Sequence, residues 1–213
     1  STLGLPQRRT RALLIAVRDG KASPLPHPTG VIRTVRDAIG HLPPVEAGVV
    51  HESDPMHVAP RLTSRVLERI RAIPKNGGSW RDIMDDPQLN HEAKRQLLTP
   101  AMFRARPGSF PDVYGRLWWD RPAITVTREC AHVGNGRYAH PEQDRLLTVR
   151  EMALLQGFPP DYVFEGPLTA RYNQIGDAVP PMISAQIAAH VASLAQSPPE
   201  VRNEATPSLA LAH

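Results

Sequence analysis

The run Leu147-Thr148-Val149-Arg150-Glu151-Met152 constrains this chain more than any other stretch, because it leaves one local structure open. Thr148 and Glu151 stand at the spacing of a capping box, in which the hydroxyl and the carboxylate each accept from a backbone amide that the first helical turn leaves unpaired. Leu147 and Met152 flank that box as a hydrophobic staple, so a helix begins here. It ends near Gly157, which can take the left-handed conformation, and Pro159 and Pro160 block any continuation.

The same logic places other elements. Thr34 caps a short helix over residues 35–39, with Asp37 at the third position and Gly40 after it. A longer helix over residues 64–73 carries Val66, Ile70 and Ile73 on one face, with Arg65, Glu68, Arg69 and Arg71 largely off it, and stops at Pro74. Asn76-Gly77-Gly78-Ser79-Trp80 reads as a turn, and residues 89–99 have helical character. A last helix starts with Pro181 in its first turn and aligns Ile183, Ile187, Val191 and Leu194. Strands are expected where apolar and β-branched residues run together, at residues 12–17 as a buried strand and at residues 123–127. Pro24, Pro26 and Pro28 make residues 23–30 an extended linker and a candidate domain boundary. Beyond Ser197 a loose tail is expected.

With 41% hydrophobic residues, the 213-residue chain can build a core of one domain or a small two-domain unit. No run reaches the roughly 18 apolar residues of a membrane span. A single cysteine, Cys130, excludes an internal disulfide and a thiolate metal cluster, and it fits a reducing compartment. The net charge of +4 permits a polyanionic partner. Of the 25 basic residues only Lys21, Lys75 and Lys94 are lysine. That arginine excess suits bidentate contacts to guanine or phosphate, and it is equally what a GC-rich genome would encode.

Three blocks carry chemistry. Gly4-Leu5-Pro6-Gln7-Arg8-Arg9-Thr10-Arg11 sets arginines two residues apart, so an extended chain aims Arg9 and Arg11 to one side. This stretch resembles the Gln-x-Arg-x-Arg block of DNA cytosine-5 methyltransferases. Residues 145–159, from Arg145 to Pro159, are similar to that family's ninth block. Arg171-Tyr172-Asn173-Gln174-Ile175-Gly176-Asp177-Ala178-Val179-Pro180-Pro181 resembles its tenth, with Asp177 where many members have asparagine. Between them, Gly77-Gly78-Ser79-Trp80, Tyr114-Gly115-Arg116-Leu117-Trp118-Trp119-Asp120 and His140-Pro141 are similar to landmarks of the family's target-recognition domain.

The resemblance implies an α/β fold: the C-terminal part of a Rossmann-like S-adenosylmethionine-dependent methyltransferase domain with an inserted, mostly irregular and β target-recognition domain. Residues 1–20 and 145–195 would complete the catalytic domain, residues 21–144 would form the recognition domain, and residues 196–213 would be a flexible tail. Gln7, Arg9 and Arg11 would support a flipped cytosine. A tight loop with Asp177, Ala178 and Val179 would meet S-adenosyl-L-methionine, the methyl donor, and Gly176 would allow close backbone approach. Arg121, Thr125, Thr127, Arg128 and Arg137 would contact double-stranded DNA. The implied chemistry needs a cysteine thiolate and a glutamate, in Pro-Cys and Glu-Asn-Val blocks that this sequence does not contain. An N-terminal half or complementary subunit would supply them, together with the glycine-rich cofactor loop. The expected setting is bacterial, cytoplasmic and nucleoid-associated. The alternative is a catalytically inactive DNA-binding or regulatory protein derived from such an enzyme.

Overall fold

The capping box folds as expected into the helix α6 (Val149–Leu155), in a computed structural model that describes residues 3–16, 30–106 and 108–196. The Glu151 amide donates to Thr148 Oγ1 at 3.1 Å, and the Thr148 amide donates to the Glu151 carboxylate at 2.7 Å. Every residue of α6 except Leu154 is buried, so the helix has no broad solvent face. It packs against α1 (Val35–Ile39), α7 (Leu168–Asp177) and β2 (Asp54–Val58). β2 pairs antiparallel with β1 (Val50–His51), and this hairpin is the one sheet among the described residues.

The main core joins Val35 and Ile39 of α1, Met56 and Val58 of β2, and Leu117, Tyr138, Leu146 and Leu147 from the connecting segments. Val149, Met152, Ala153 and Leu155 of α6 and Tyr172 and Ile175 of α7 complete it. Each such aliphatic side chain contributes about 1.5–3 kcal/mol when fully buried. A second cluster of Ile73, Trp80, Ile83, Leu98 and Met102 holds together α2 (Ser64–Ala72), α3 (Trp80–Asp85), α4 (His91–Leu97) and α5 (Pro100–Phe103). α8 (Pro181–Gln196) follows a three-residue link from α7.

Burying α6 on all sides forces its charges to find partners inside. Glu151 accepts a two-pronged fork from Arg145, at 2.7 and 2.8 Å, with both side chains 1% exposed. Arg150 makes a corresponding fork to Asp54 at 2.6 and 3.0 Å and also donates to the Tyr162 carbonyl. Burial alone would raise the Glu151 carboxyl, but the Arg145 hydrogen bonds and charge outweigh it and hold the group below the ordinary glutamate value.

His140 lies 3.8 Å from the same carboxylate, yet burial pushes its pKa down to about 4, with Arg145 and Arg116 working in the same direction against Glu151. Its ring is therefore neutral at pH 7, and Nδ1 accepts from the Glu142 and Gln143 amides at 3.1 and 2.9 Å. The unfolded chain takes up a proton near the ordinary value of 6.5 and the native chain near 4. Stability is thus full above pH 6.5 and falls as the pH drops toward 4, by about 3 kcal/mol for this one group. Urea unfolding at pH 7.5, 5.5 and 4.5 should show that loss, and His140→Asn, which does not titrate, should show a shallower pH dependence.

Several expectations need correcting. Residues 12–16 form no buried strand: they have no regular structure, and Leu14 is 92% exposed. No neighbouring strand among the described residues offers them a ladder, and Val17 lies outside those residues. Residues 123–127 do not form a strand either, but make a single parallel bridge from Gln7 to Ala123. The tight loop expected before the last helix is mostly the helix α7, fixed from inside by Tyr172, whose hydroxyl donates to the Leu147 carbonyl at 2.7 Å. Arg69 is buried, with its guanidinium 4.5 Å from the Tyr114 ring and donating to the Leu97 carbonyl. The linker at residues 23–29 and the tail beyond residue 196 lie outside the described residues.

Candidate functional site

The arginine block is laid along the segment that follows Pro122. Ala123 N donates to the Pro6 carbonyl at 2.9 Å and Arg8 N to the Ala123 carbonyl at 2.7 Å. Thr125 Oγ1 donates to the Arg8 carbonyl at 2.9 Å, and Arg9 Nη1 to the Val126 carbonyl at 3.1 Å. Two stretches more than a hundred residues apart are thereby stapled edge to edge.

This pairing sorts the three residues expected at the base. Gln7 is fully buried and turned inward, donating to Gln156 Oε1 at 2.7 Å. Arg9 is half-buried, and its pKa is lowered, first by burial and then by the charge of Arg11. Arg11 is exposed, with Nη1 on the neighbouring Thr10 carbonyl at 2.7 Å. The two arginines therefore feel each other at an accessible edge, while Gln7 anchors that edge from behind.

The residues expected to meet DNA separate similarly. Arg121 and Arg128 are exposed. Thr127 is exposed as well, and its hydroxyl lies 3.1 Å from Tyr138 Oη. Because the Tyr138 hydroxyl proton goes to the Thr125 carbonyl at 2.9 Å, Thr127 is the donor of that pair. Arg137 is a correction. It is 5% exposed and donates to Asp112 and to the carbonyls of Gly77, Gly78, Arg116 and Pro111, with its guanidinium 4.0 Å from the Trp118 ring. Each of its three guanidinium nitrogens is bonded within the protein, so the buried side chain is not presented to a base or phosphate.

The end of α7 meets the same edge. Asp177 forms an ion pair with Arg128, joining a residue expected at the cofactor to one expected at DNA. Gly176 fits directly beneath: a Cβ there would lie 2.2 Å from the Thr127 carbonyl oxygen, so glycine is needed for packing against that backbone. The Ala178 carbonyl accepts from Gln156 Nε2 at 2.9 Å, and Val179 is 63% exposed. The turn thus presents a half-exposed carboxylate next to an apolar side chain, a surface that suits a ligand with an ammonium group and an apolar body.

Residues 1–193 match the model of the C-5 cytosine-specific DNA methylase family. The chain belongs to that family. It is 41% identical over 192 residues to the type II methylase M.HgiDII of Herpetosiphon aurantiacus, covering 87% of this chain and 51% of the relative. It is 35% identical over 195 residues to the type II methyltransferase M.Eco47II of Escherichia coli, covering 89% and 43%. A plant relative, DNA (cytosine-5)-methyltransferase 3 of Arabidopsis thaliana, is 33% identical over 165 residues, covering 71% of this chain and 12% of its own. A crystal structure described as that of a DNA modification methyltransferase encoded within an E. coli prophage aligns with a TM-score of 0.55 at 16% identity, over 92% of this chain and 58% of that one, and so shares the methyltransferase fold. The chain spans about half the length of the bacterial relatives it matches. Methylases of this family take their methyl group from S-adenosyl-L-methionine.

The lone thiol takes no exposed place in this arrangement. Cys130 is fully buried, its Sγ donates to the Tyr172 carbonyl at 3.8 Å, and burial pushes its pKa up to about 12. A thiol in that state is neither ionised nor reachable at neutral pH. Two further residues escaped the sequence reading. Gln156, which links its own block to the other two, was hidden as an ordinary polar residue before Gly157. Arg116, fully buried among carbonyls, was one more arginine in a chain rich in them. Among the described residues no helix is long and apolar enough to cross a membrane.

Proposed function

We propose that this chain supplies the target-recognition region and part of the base and cofactor sites of a DNA (cytosine-5-)-methyltransferase. The observation that carries the reading is the convergence of Gln7 to Arg11, residues 123–128 and the Asp177 to Val179 turn on one edge of the molecule. These segments lie far apart in sequence; the first and last match blocks that the resemblance ties to the base and the methyl donor, and the middle one carries residues expected to meet DNA.

In this reading Arg9 and Arg11 hold a cytosine flipped out of double-stranded DNA, with the planar fork that lysine lacks. Arg121, Thr125, Thr127 and Arg128 face the duplex, as phosphate or base contacts. Asp177, Ala178 and Val179 hold S-adenosyl-L-methionine, which when bound supplies the methyl group for cytosine C5. The ion pair of Asp177 with Arg128 is exposed on both sides, so opening it to ligands costs little. Residues 1–20 and 145–195 belong to a Rossmann-like catalytic domain, and residues 21–144 form the recognition domain inserted in it. The nucleophilic thiolate is not Cys130 and is contributed from outside this chain, by a segment or subunit that also carries the glycine-rich cofactor loop. A cytoplasmic, nucleoid-associated setting follows from that role.

The test combines this chain with a complementary half, labelled S-adenosylmethionine and cytosine-containing duplex DNA, and measures transfer. Arg11→Ala is expected to lower transfer on the order of a hundredfold, the size of losing one donor to a developing charge, while DNA affinity changes by less than about threefold. Equal losses in both would assign Arg11 to DNA binding alone. Tight specific DNA binding with no transfer, whichever half is supplied, would replace the enzyme reading with that of a DNA-binding regulator.

A further inference from the structure

Gln156 stands where the three blocks meet. It caps the C-terminus of α6 and is fully buried. Its Nε2 donates to two carbonyls, Ile175 at 2.9 Å and Ala178 at 2.9 Å, which lie in the last turn of α7 and at its end. With both amide hydrogens used there, its Oε1 must face the other way, toward Gln7. That orientation in turn fixes Gln7, whose Nε2 donates to Gln156 Oε1 at 2.7 Å and reaches the Leu155 carbonyl at 3.4 Å.

The contacts close a ring. From Gln156 the path runs to Gln7, along the arginine block to residues 123–128, across Arg128 to Asp177, and through Ala178 back to Gln156. Stability alone does not explain the buried pair, because Gln7 Oε1 is buried without a hydrogen-bond partner. An apolar side chain at position 7 would remove that orphan, but it would leave Gln156 Oε1 without its donor, so the two amides hold each other in place. What the pair adds is direction: a hydrogen bond between two amides sets the height of one segment relative to the other, which apolar contact does not.

We propose that Gln156 is a positioning residue for methyl transfer, keeping the segment that carries Arg9 and Arg11 in register with the Asp177 to Val179 turn. The inference rests on the reading of that turn as the donor contact. The two ends of the relay have different duties. Gln156 touches the turn itself, whereas the Gln7 side chain reaches only Gln156 and the Leu155 carbonyl beside it.

The experiment uses the complete methyltransferase that contains this chain, with S-adenosylhomocysteine as the binding probe. Gln156→Met keeps the volume and removes the hydrogen bonds. It should weaken S-adenosylhomocysteine about tenfold and lower kcat about a hundredfold, with KM for DNA changing by less than about threefold. Gln7→Met should leave probe affinity within about twofold, because the Nε2 bonds of Gln156 remain, and lower kcat about tenfold. Leu98→Ala, in the second core cluster, destabilises the fold and should leave both readouts unchanged. The inference is overturned if Gln156→Met changes neither readout, or if Leu98→Ala reproduces the losses. Should Gln156→Met not fold, Gln7→Met carries the test, and an unchanged kcat there overturns the proposal. Asp177→Ala separates the two levels. If it weakens the probe and Gln156→Met does not, the relay fails alone. If neither weakens it, the donor reading of the turn falls and the relay falls with it.

Discussion

Replacing Arg116 by methionine should cost about 3–5 kcal/mol of unfolding free energy, the range for removing one partner from a buried charged network. The side chain is completely buried, and its donors converge on five acceptors. Nε reaches the Ile73 carbonyl at 3.2 Å, Nη1 the carbonyls of His140 and Gln143 at 3.0 and 2.8 Å, and Nη2 the Ile70 carbonyl at 2.8 Å and the Asp144 carboxylate. Burial draws the guanidinium pKa down, and Asp144 pulls it back up. The residue joins the end of α2, which belongs to the second cluster, to the segment leading into α6. Methionine would fill most of the volume but take these donors from four carbonyls; those of Ile70 and Gln143 still accept from the Ile73 and Arg145 amides, whereas those of Ile73 and His140 are left unpaired, and each orphan costs about 1–3 kcal/mol before relaxation. Arg116→Lys should recover little, because an ammonium has three donors around one point and cannot span the fork. Equilibrium unfolding in urea reads the result, and a loss below about 1 kcal/mol would show that water or rearrangement satisfies the carbonyls.

The second large effect is expected at Glu151. Glu151→Gln keeps the shape, yet removes the charge that faces the buried Arg145 fork and one of the two acceptors it needs. A loss of about 3–5 kcal/mol is expected, most of it from an uncompensated guanidinium left in the core. The diagnostic measurement is a double-mutant cycle. Arg145→Met with Glu151→Gln should lose at least about 2 kcal/mol less than the sum of the single losses, because the second change removes the charge that the first leaves unpaired. The double variant should still fall short of the parent chain, since Arg145 also donates to Gln143 Oε1 and to the buried Leu146 carbonyl. Additive losses would mean that Arg145 and Glu151 act separately. The same pair gives the acid limb a second cause. A carboxyl held below its ordinary value contributes stability above that value and loses it as the pH falls through the native one, the same direction as His140.

Legibility in the sequence followed the range of the interaction. α1, α6 and the start of α8 were readable because Thr34 with Asp37, Thr148 with Glu151, and Pro181 act within four residues of themselves. α3 was missed even though Ser79 and Asp82 form the same box, since the glycines before it read as a plain turn. α7 was missed for a better reason: its N-cap is Pro167, which has no side-chain hydrogen bond to give, and it carries Gly176 in its last turn. Its helicity comes from burying Tyr172 and Ile175 against α6, which no local pattern announces. The hairpin of β1 and β2 likewise passed unread.

The candidate site divides along the same line. Arginines at alternate positions, a Gly-Asp turn before a proline-started helix and a capped helix between them were all visible as residues, and with them the family. Their mutual arrangement was not. Gln7 and Arg137 look as available as Arg9 and Arg128 in a string of letters, yet the first pair is buried and bonded inside. Guanidinium and amide groups serve a carbonyl or a phosphate equally well, so residue type leaves the partner open.

The sequence by itself determined where the α6 helix starts, which blocks the chain carries and that its single thiol could join no disulfide within the chain. Only the tertiary structure decided which arginines face outward, that residues 123–128 lie beside the arginine block, and that Gln156 links all three blocks. The physical reason is distance along the chain: caps and proline act between near neighbours, while these contacts join positions up to 149 residues apart and form only when burial brings their backbones together.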